Sequence, residues 1–451
     1  MLALNDFYAI QPALRDEMLL DAIRERHAWH YARNCAYRAT VSARGVGARV
    51  RSEQLPRLLR ISAITFKGYV EQLGTPFPQD QPRPFLEWLA AQLSIQLPVQ
   101  RAVHLRPRYP TLERLLRAIE TLYADLGLEI VTSSGTSGRF TILVRDKAAI
   151  QVATHAYFTA IARAWGIRPG HDLVFVMPAR TRVAMAHIAH LGTRILGWTT
   201  HNTVAYTMPF EADPDTIRVR TGRTFRPGMQ GLWEQRVLQR AMVWAYESLA
   251  EDRFIGMTIQ ALERCAAAGH PVMLLGGLVQ LDAVAQRLLV RGGMELPAGS
   301  RIATGGGLKQ TYPRTPDQIC ANLGRALRGP GGASLPVADV YGMAEANWAA
   351  FQCPAGNYHV SPWVYVAVTD DDDCLLQGSD ATGLLAFWDP LGGGDMYPPF
   401  FQTTDRVRLV NGNGHFDPAR VCPCGEATPY FVHHTIQRVD LMEEAGCGAT
   451  L

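Results

Sequence analysis

The sequence predicts an α/β fold, and three observations carry that prediction. Segments with helical apolar spacing alternate with short apolar runs rich in β-branched residues through the middle of the chain. The content is 47% apolar and 19% charged, as in a globular protein, not a disordered or fibrous one. At 451 residues the chain is long enough to bury a large core, in two or three domains or one big one.

Each element follows from its pattern. From Arg15 to Arg38, Met18, Leu19, Ala22, Ile23 and Trp29 recur near helical spacing between charges, which predicts an amphipathic helix. The proline- and leucine-rich stretch 51–98 predicts short helices and extended pieces wrapped on a larger body. Leu112, Leu115, Leu116, Ile119 and Leu122 share one face of a helix over 111–126. Strands are predicted over 126–131 and 141–146, then a helix over 148–165 and a buried strand over 171–177 that stops at Pro178. Helices over 246–268 and 281–291 alternate with strands over 272–275, 300–304 and 338–341. Beyond Pro362, runs at 364–368 and 383–388 flank the acidic stretch Asp370 to Asp373 and predict an antiparallel β subdomain. Four consecutive acids are a candidate cation site, but at a hairpin tip they read first as a solvated turn.

The net charge of +3 is small for this length, which argues against a nucleic-acid partner and against a polybasic membrane patch. No apolar run is long enough to span a bilayer, and the start of the chain lacks a secretory pattern. Eight cysteines in so long a chain do not form a disulfide framework, so a cytoplasmic location is expected. Lys67, Lys147 and Lys309 are the only lysines, which narrows any search for a catalytic ammonium.

Between the strands over 126–131 and 141–146 lies Ser133-Ser134-Gly135-Thr136-Ser137-Gly138. Glycines let the backbone approach an anion, and hydroxyls with main-chain N–H groups supply donors to phosphate oxygens. The loop lacks the Gly-Lys-Ser/Thr of a Walker loop, and by itself a flexible Ser/Gly turn is an equal reading. Three further segments follow it: Gly305-Gly306-Gly307-Leu308-Lys309, Tyr341-Gly342-Met343-Ala344-Glu345, and Thr403-Thr404-Asp405.

In this order the four segments resemble the adenylate-forming superfamily of acyl-CoA synthetases, luciferases and peptide-synthetase adenylation domains. Thr65-Phe66-Lys67, the distal Asp146, His359-Val360-Ser361-Pro362-Trp363, Cys422-Pro423-Cys424-Gly425 and Gln437-Arg438-Val439-Asp440 are more similar to the LuxE-like acyl-protein synthetases, and next to the phenylacetate-CoA ligases. The resemblance runs from about Lys67 to Asp440.

It implies an N-terminal core of stacked β-sheets flanked by helices. The expected divisions are a helical part at 1–125, a nucleotide- and acyl-binding part at 126–362, a β-rich subdomain at 363–440 and a flexible tail at 441–451. Relatives of the CoA-ligase type continue into a mobile lid carrying a catalytic lysine. Here that lid is expected to be absent or vestigial, leaving Lys309 and Lys67 as substitutes.

The resemblance also implies roles. Ser133, Ser134, Thr136 and Ser137, with Gly135 and Gly138, would hold the ATP phosphates, and Glu345 would ligate Mg²⁺. Tyr341, flanked by Gly342 and Met343, would pack on the adenine. Gly305, Gly306 and Gly307 would pass close to adenine and acyl group, and Asp405 would accept the ribose hydroxyls. The plain alternatives are a surface acid for Glu345 and a turn cap for Asp405. Ala344 stands where the family has threonine. The substrate would be a small carboxylic acid, aryl or fatty, and the acyl group would pass to a protein thiol or to a reductase, acyltransferase or carrier partner. A non-catalytic, degenerate relative that binds nucleotide or acyl ligand, or docks to a partner, is the competing reading.

Cys353 and His359, with Cys422 and Cys424, make a Cys₃His set that suits a structural Zn²⁺. The alternative places His359 in the acyl pocket and leaves the cysteines merely buried. Cys35, Cys265 and Cys320 read as core residues. In LuxE-like synthetases a cysteine near the C-terminus carries the acyl group, and Cys447 stands in that position. An ordinary tail thiol is the alternative there.

Overall fold

Strands buried on both faces account for the near-continuous apolar runs of this chain. In the computed structural model every residue is described apart from 1–3, 134–139, 180, 196–203, 210, 212, 223, 307–311, 393 and 439–451. A hairpin of β1 (Leu128–Thr132) and β2 (Ile142–Asp146) forms a two-stranded sheet, with Thr132 opposite Ile142. The Ser/Gly segment joins these two strands. Asp146 then caps the helix Lys147–Trp165, its Oδ1 accepting from the Ala149 N–H at 2.6 Å.

The parallel strands follow: β3 (Asp172–Pro178), β4 (Val204–Met208), β5 (Val272–Gly276), β6 (Arg301–Gly305) and β7 (Val337–Gly342). Their spatial order is β4-β3-β5-β6-β7. The chain then turns back through β8 (Ala349–Gln352), β9 (Tyr358–His359), β10 (Tyr365–Thr369), β11 (Asp380–Trp388), β12 (Phe400–Val410), β13 (Tyr430–Phe431) and β14 (Gln437–Arg438). The pairs among these strands are antiparallel, in the order β10-β11-β12-β13-β9-β8-β7, with β14 on β12. The short strand Arg60–Ile61 pairs parallel with β12, Arg60 opposite Phe401. Hydrogen bonds thus join thirteen of the described strands into one sheet that changes from parallel to antiparallel at β7.

Alternate residues of these strands enter different cores. In β3, Leu173 and Phe175 face a core shared with the hairpin and the helices Pro82–Gln92, Leu112–Leu122 and Lys147–Trp165, whereas Val174 and Val176 face the helices Glu251–Ala268, Leu278–Val290 and Pro316–Ala326. In β11, Leu385 and Phe387 belong to the first core, while Ala386 and Trp388 pack with Leu19, Ile23, Tyr37 and Val41 of the N-terminal helices. Period-two alternation therefore decides not in against out but which helical layer each side chain meets.

The helix expected over 15–38 is two helices, Pro12–Arg33 and Cys35–Ala43. Asn34 breaks it, its side chain accepting from the Tyr37 N–H at 2.8 Å as an N-cap. Cys35, expected in the core, begins the second helix and is exposed. The acid run forms a turn: Asp373 has a φ of 61°, Arg406 pairs with Asp371 and Gln402 donates to Asp373. Among the described residues no helix is long and apolar enough to cross a membrane.

Candidate active site and metal cluster

Glu345 lies in the connection from β7 to β8, at the seam between parallel and antiparallel strands. Its position is set by Arg145 of β2, which is 1% exposed. The Arg145 guanidinium donates to the carbonyls on either side of Glu345, Ala344 O at 2.7 Å and Ala346 O at 3.0 Å. From the exit of the same hairpin, Thr141 Oγ1 donates to Glu345 Oε1 at 3.3 Å. Two segments about two hundred residues apart are thereby fixed on one carboxylate.

Burial raises the pKa of Glu345, and the negative charge of Asp405 adds to the rise, while the backbone N–H, the Lys67 ammonium and Thr141 oppose it. A carboxylate partly withdrawn from water in this way is favoured in its charged form by a nearby cation. Lys67, at the end of the helix Ser62–Lys67, is thus within electrostatic reach of Glu345. Tyr341 of β7 donates its phenol to Asp405 Oδ2 at 2.6 Å and meets Phe431 edge-on at 5.5 Å. Burial, then the charge of Asp405, pushes the Tyr341 phenol far above its ordinary pKa, so it serves as a donor. Asp405 Oδ1 lies 4.0 Å from Arg438 Nε, across the β12–β14 pair.

Ser133 Oγ accepts from the Thr141 N–H at 3.0 Å, and the Ser133 N–H donates to Thr141 O at 3.1 Å, so this residue closes the mouth of the hairpin. Ser134, Gly135, Thr136, Ser137 and Gly138 lie outside the described residues, as do Gly307, Lys309, Asp440 and Cys447. Gly305 ends β6 opposite Val340, and Gly306 has a φ of 77°, a conformation that favours glycine. Gly342 and Met343 continue from Tyr341 toward Glu345.

Sequence reasoning missed two groups that position this site. Arg145 is one; a lone arginine within the apolar run Ile142-Leu143-Val144 was the available signal. Asp339 of β7 is the other. It accepts from Thr304 Oγ1 at 2.6 Å and from Tyr358 OH at 2.9 Å, linking the strand before the glycine loop to β9. Burial raises its pKa, and those two hydroxyls work against the rise.

Beside Tyr358, His359 faces the cysteines. The ligand atoms of Cys353, His359, Cys422 and Cys424 all lie within 4.8 Å of one another, so the cluster could hold a metal ion. The Cys353 and Cys422 sulfurs are 3.7 Å apart, and Cys424 Sγ is 3.2 Å from His359 Nε2. A tetrahedral Zn–S site has sulfurs ~3.8 Å apart, so the spacing fits. His359 Nδ1 contacts Thr428 Oγ1 at 2.9 Å, which leaves Nε2 facing the sulfurs. Burial would lower the His359 pKa, but the Cys353 and Cys422 sulfurs lift it to about 9. Burial raises Cys422, yet hydrogen bonds led by His359 bring it down to about 6.

No family model matches the chain, and no curated protein sequence does. Among solved structures it is similar to 2-hydroxyisobutyryl-CoA ligase in complex with 2-HIB-AMP and CoA in the thioesterification state. The TM-score is 0.52 at 16% identity, over 95% of this chain and 69% of the ligase chain. The same ligase in its postadenylation state with 2-HIB-AMP gives a TM-score of 0.52 at 15% identity, over 95% and 68% of the two chains. A long-chain fatty-acid–CoA ligase from Archaeoglobus fulgidus overlaps 70% of this chain at a TM-score of 0.40, too slight a likeness to build on. The fold of this chain is therefore a mixed α/β fold similar, at low identity, to that of 2-hydroxyisobutyryl-CoA ligase.

Proposed function

We propose that this chain activates a carboxylic acid with ATP and Mg²⁺, as an acid-activating ligase nearest the LuxE-like branch. The observation that carries the reading is the half-buried carboxylate of Glu345, drawn together with Thr141, Lys67 and Asp405 at the seam of the sheet. Mg²⁺ would screen the triphosphate as the anionic nucleophile approaches. Glu345 would hold the cation, with Arg145 fixing the backbone on both sides of it. Asp405, oriented by Tyr341, would accept the ribose hydroxyls. Lys67 would lend its charge to the α-phosphate. A carboxylate oxygen of the substrate attacks the α-phosphorus, the bond to the β-phosphate oxygen breaks, and pyrophosphate leaves.

The substrate proposed is an aryl or fatty acid, and the acyl group would pass to Cys447 or to a partner reductase, acyltransferase or carrier. The Cys₃His cluster would carry Zn²⁺ in a structural role, because four protein ligands leave no open coordination position. Acid-dependent exchange of pyrophosphate into ATP tests the reading: a broad panel of acids should include one that supports exchange. Ala344, in place of a threonine, favours the competing reading of a binding protein without turnover. Nucleotide binding by calorimetry together with no exchange for any acid would establish that alternative.

A further inference from the structure

The helical run 228–268 comprises Gly228–Trp233, the π-helical turn Glu234–Leu238, Gln239–Ala245, a second π-helical turn Tyr246–Ala250 and Glu251–Ala268. Its last segment is buried through Phe254, Ile255, Ile259 and Leu262, as a core helix should be. Its first part is turned inside out. Met229 is 81% exposed, Trp244 61%, Trp233 53% and Val237 51%. From Met229 to Trp244 the ridge runs about 22 Å at ~1.5 Å per residue. An apolar ridge of that size, with two indoles at its crest, is uncommon on a protein that meets only water.

The charge on this ridge is one-sided. Between Thr224 and Tyr246 the single acid is Glu234, and it points inward. Arg218 donates to both Glu234 oxygens at 2.9 Å, and the Arg226 N–H adds a third bond at 2.9 Å. Gly231 allows this seating, since a Cβ there would lie 1.7 Å from Arg226 O. With its acid neutralised inside, the outer face presents Arg236 and Arg240. At its beginning, Gln230 lines an open cleft of about 380 Å³ together with Arg108, Tyr109, Pro110 and Arg226. Arg108 gives only its Nε to Asp80 and is 61% exposed, so the cleft adds a third guanidinium. The sequence shows no polybasic run because these groups come from separate segments and meet only in the fold.

We propose that this ridge seats the protein on an anionic lipid surface, with Trp233 and Trp244 entering the headgroup layer and Arg236, Arg240 and Arg108 meeting lipid phosphates. Indoles favour the boundary between water and hydrocarbon, and a guanidinium pairs with a phosphate through two bonds. A projecting amphipathic helix suits a flat, fluid surface. A second copy does not fit. A twofold contact would oppose the arginines of one copy to those of the other, and the one acid between 224 and 246, Glu234, is buried and already paired.

The test is flotation of the full chain with phosphatidylcholine vesicles and with vesicles containing phosphatidylglycerol in a 7:3 mixture. Binding is expected only to the mixture, and weaker at high salt. The double variant Trp233→Glu, Trp244→Glu should bind at least about tenfold more weakly, and Arg236→Ala and Arg240→Ala about fivefold each. All four side chains are exposed, so unchanged melting temperatures are expected. Failure of the wild-type chain to float with anionic vesicles overturns the proposal, as does undiminished flotation of the tryptophan variant. A dimer in light scattering that the tryptophan variant abolishes, without vesicle binding, assigns the ridge to a second copy. Binding to an acidic carrier protein without binding to vesicles assigns it to a protein partner. Neither flotation nor scattering depends on catalysis, so the outcome is separate from that of pyrophosphate exchange.

Discussion

The two ends of β8 carry opposite kinds of chemistry. Glu345 lies just before this four-residue strand, and Cys353 directly follows it. At the first end a half-buried carboxylate accepts from one hydroxyl and lies within electrostatic reach of a lysine charge and a second carboxylate. At the other end four soft ligand atoms already face one another, and the ring of His359 is fixed by Thr428. Under the proposed function the first would bind and release a cation, and the second would hold one permanently. A single short strand can separate them because Tyr358, Asp339 and Thr304 tie the neighbouring strands rigidly across the sheet.

If the ends are independent, Glu345→Gln should lower acid-dependent pyrophosphate exchange about 10²–10³-fold while leaving bound zinc unchanged. Loss of metal in that variant would show that the two ends are one unit. Cys422→Ser should do the reverse. Zinc by elemental analysis should fall from about one equivalent to none, and the melting temperature should drop on the order of 10 °C. Zinc content that stays at the wild-type value in Cys422→Ser would remove the cluster from the account.

Arg145→Lys keeps the charge but replaces the single Nη2 that reaches both carbonyls with the end of a shorter side chain, and should cost about 2–4 kcal/mol of stability. Its apparent Mg²⁺ affinity in the exchange assay should weaken more than its zinc content. Equal loss of both would make Arg145 a general core residue rather than a support for Glu345.

The smallest effect concerns Asp389, which is 1% exposed near Arg145. Burial raises its pKa from 3.8 to about 6, against backbone N–H groups and the Arg145 charge. The unfolded chain gives up this proton near its ordinary pKa, whereas the folded chain keeps it longer. Stability should therefore fall as pH rises from about 4 to about 6, by no more than about 3 kcal/mol, and stay reduced above. Asp389→Asn should remove that decline in a series of melting temperatures. Parallel curves for the two proteins would place the Asp389 pKa in its ordinary range.

Much of the architecture was legible because local pattern and tertiary demand agree. The hairpin 128–146 combines two apolar runs with a Ser/Gly turn, and the strands at 172, 272, 301 and 337 each follow a helix of ordinary length. Asn34 shows where pattern fails. The apolar spacing continues through it, but a side chain that caps the next turn ends the helix. The ridge over 228–245 was unread for a related reason: glycines and a π-helical turn spoil the 3.6-residue period, and its apolar residues face outward. At the site, Glu345 and Asp405 were found through motif words. Arg145 and Asp339 were not, because their roles depend on strand register between distant segments, which no local spacing encodes.

The pairing of Arg60–Ile61 with β12 bears on how the chain is made. Arg60 Nη2 donates to Pro398 O at 2.6 Å, and the two residues are 338 positions apart. During synthesis the N-terminal helices must wait for most of the polypeptide before the strand they pack against exists. Leu19, Ile23, Tyr37 and Val41, which bury themselves on Trp388 and Phe400, are exposed throughout that interval. Closing so long a loop is slow relative to forming the sequence-local hairpins between, so these helices, made before the strand, are among the last elements to lock. A nascent chain stalled before residue 400 would thus display an apolar helical pair, the kind of surface that chaperones bind and proteases find.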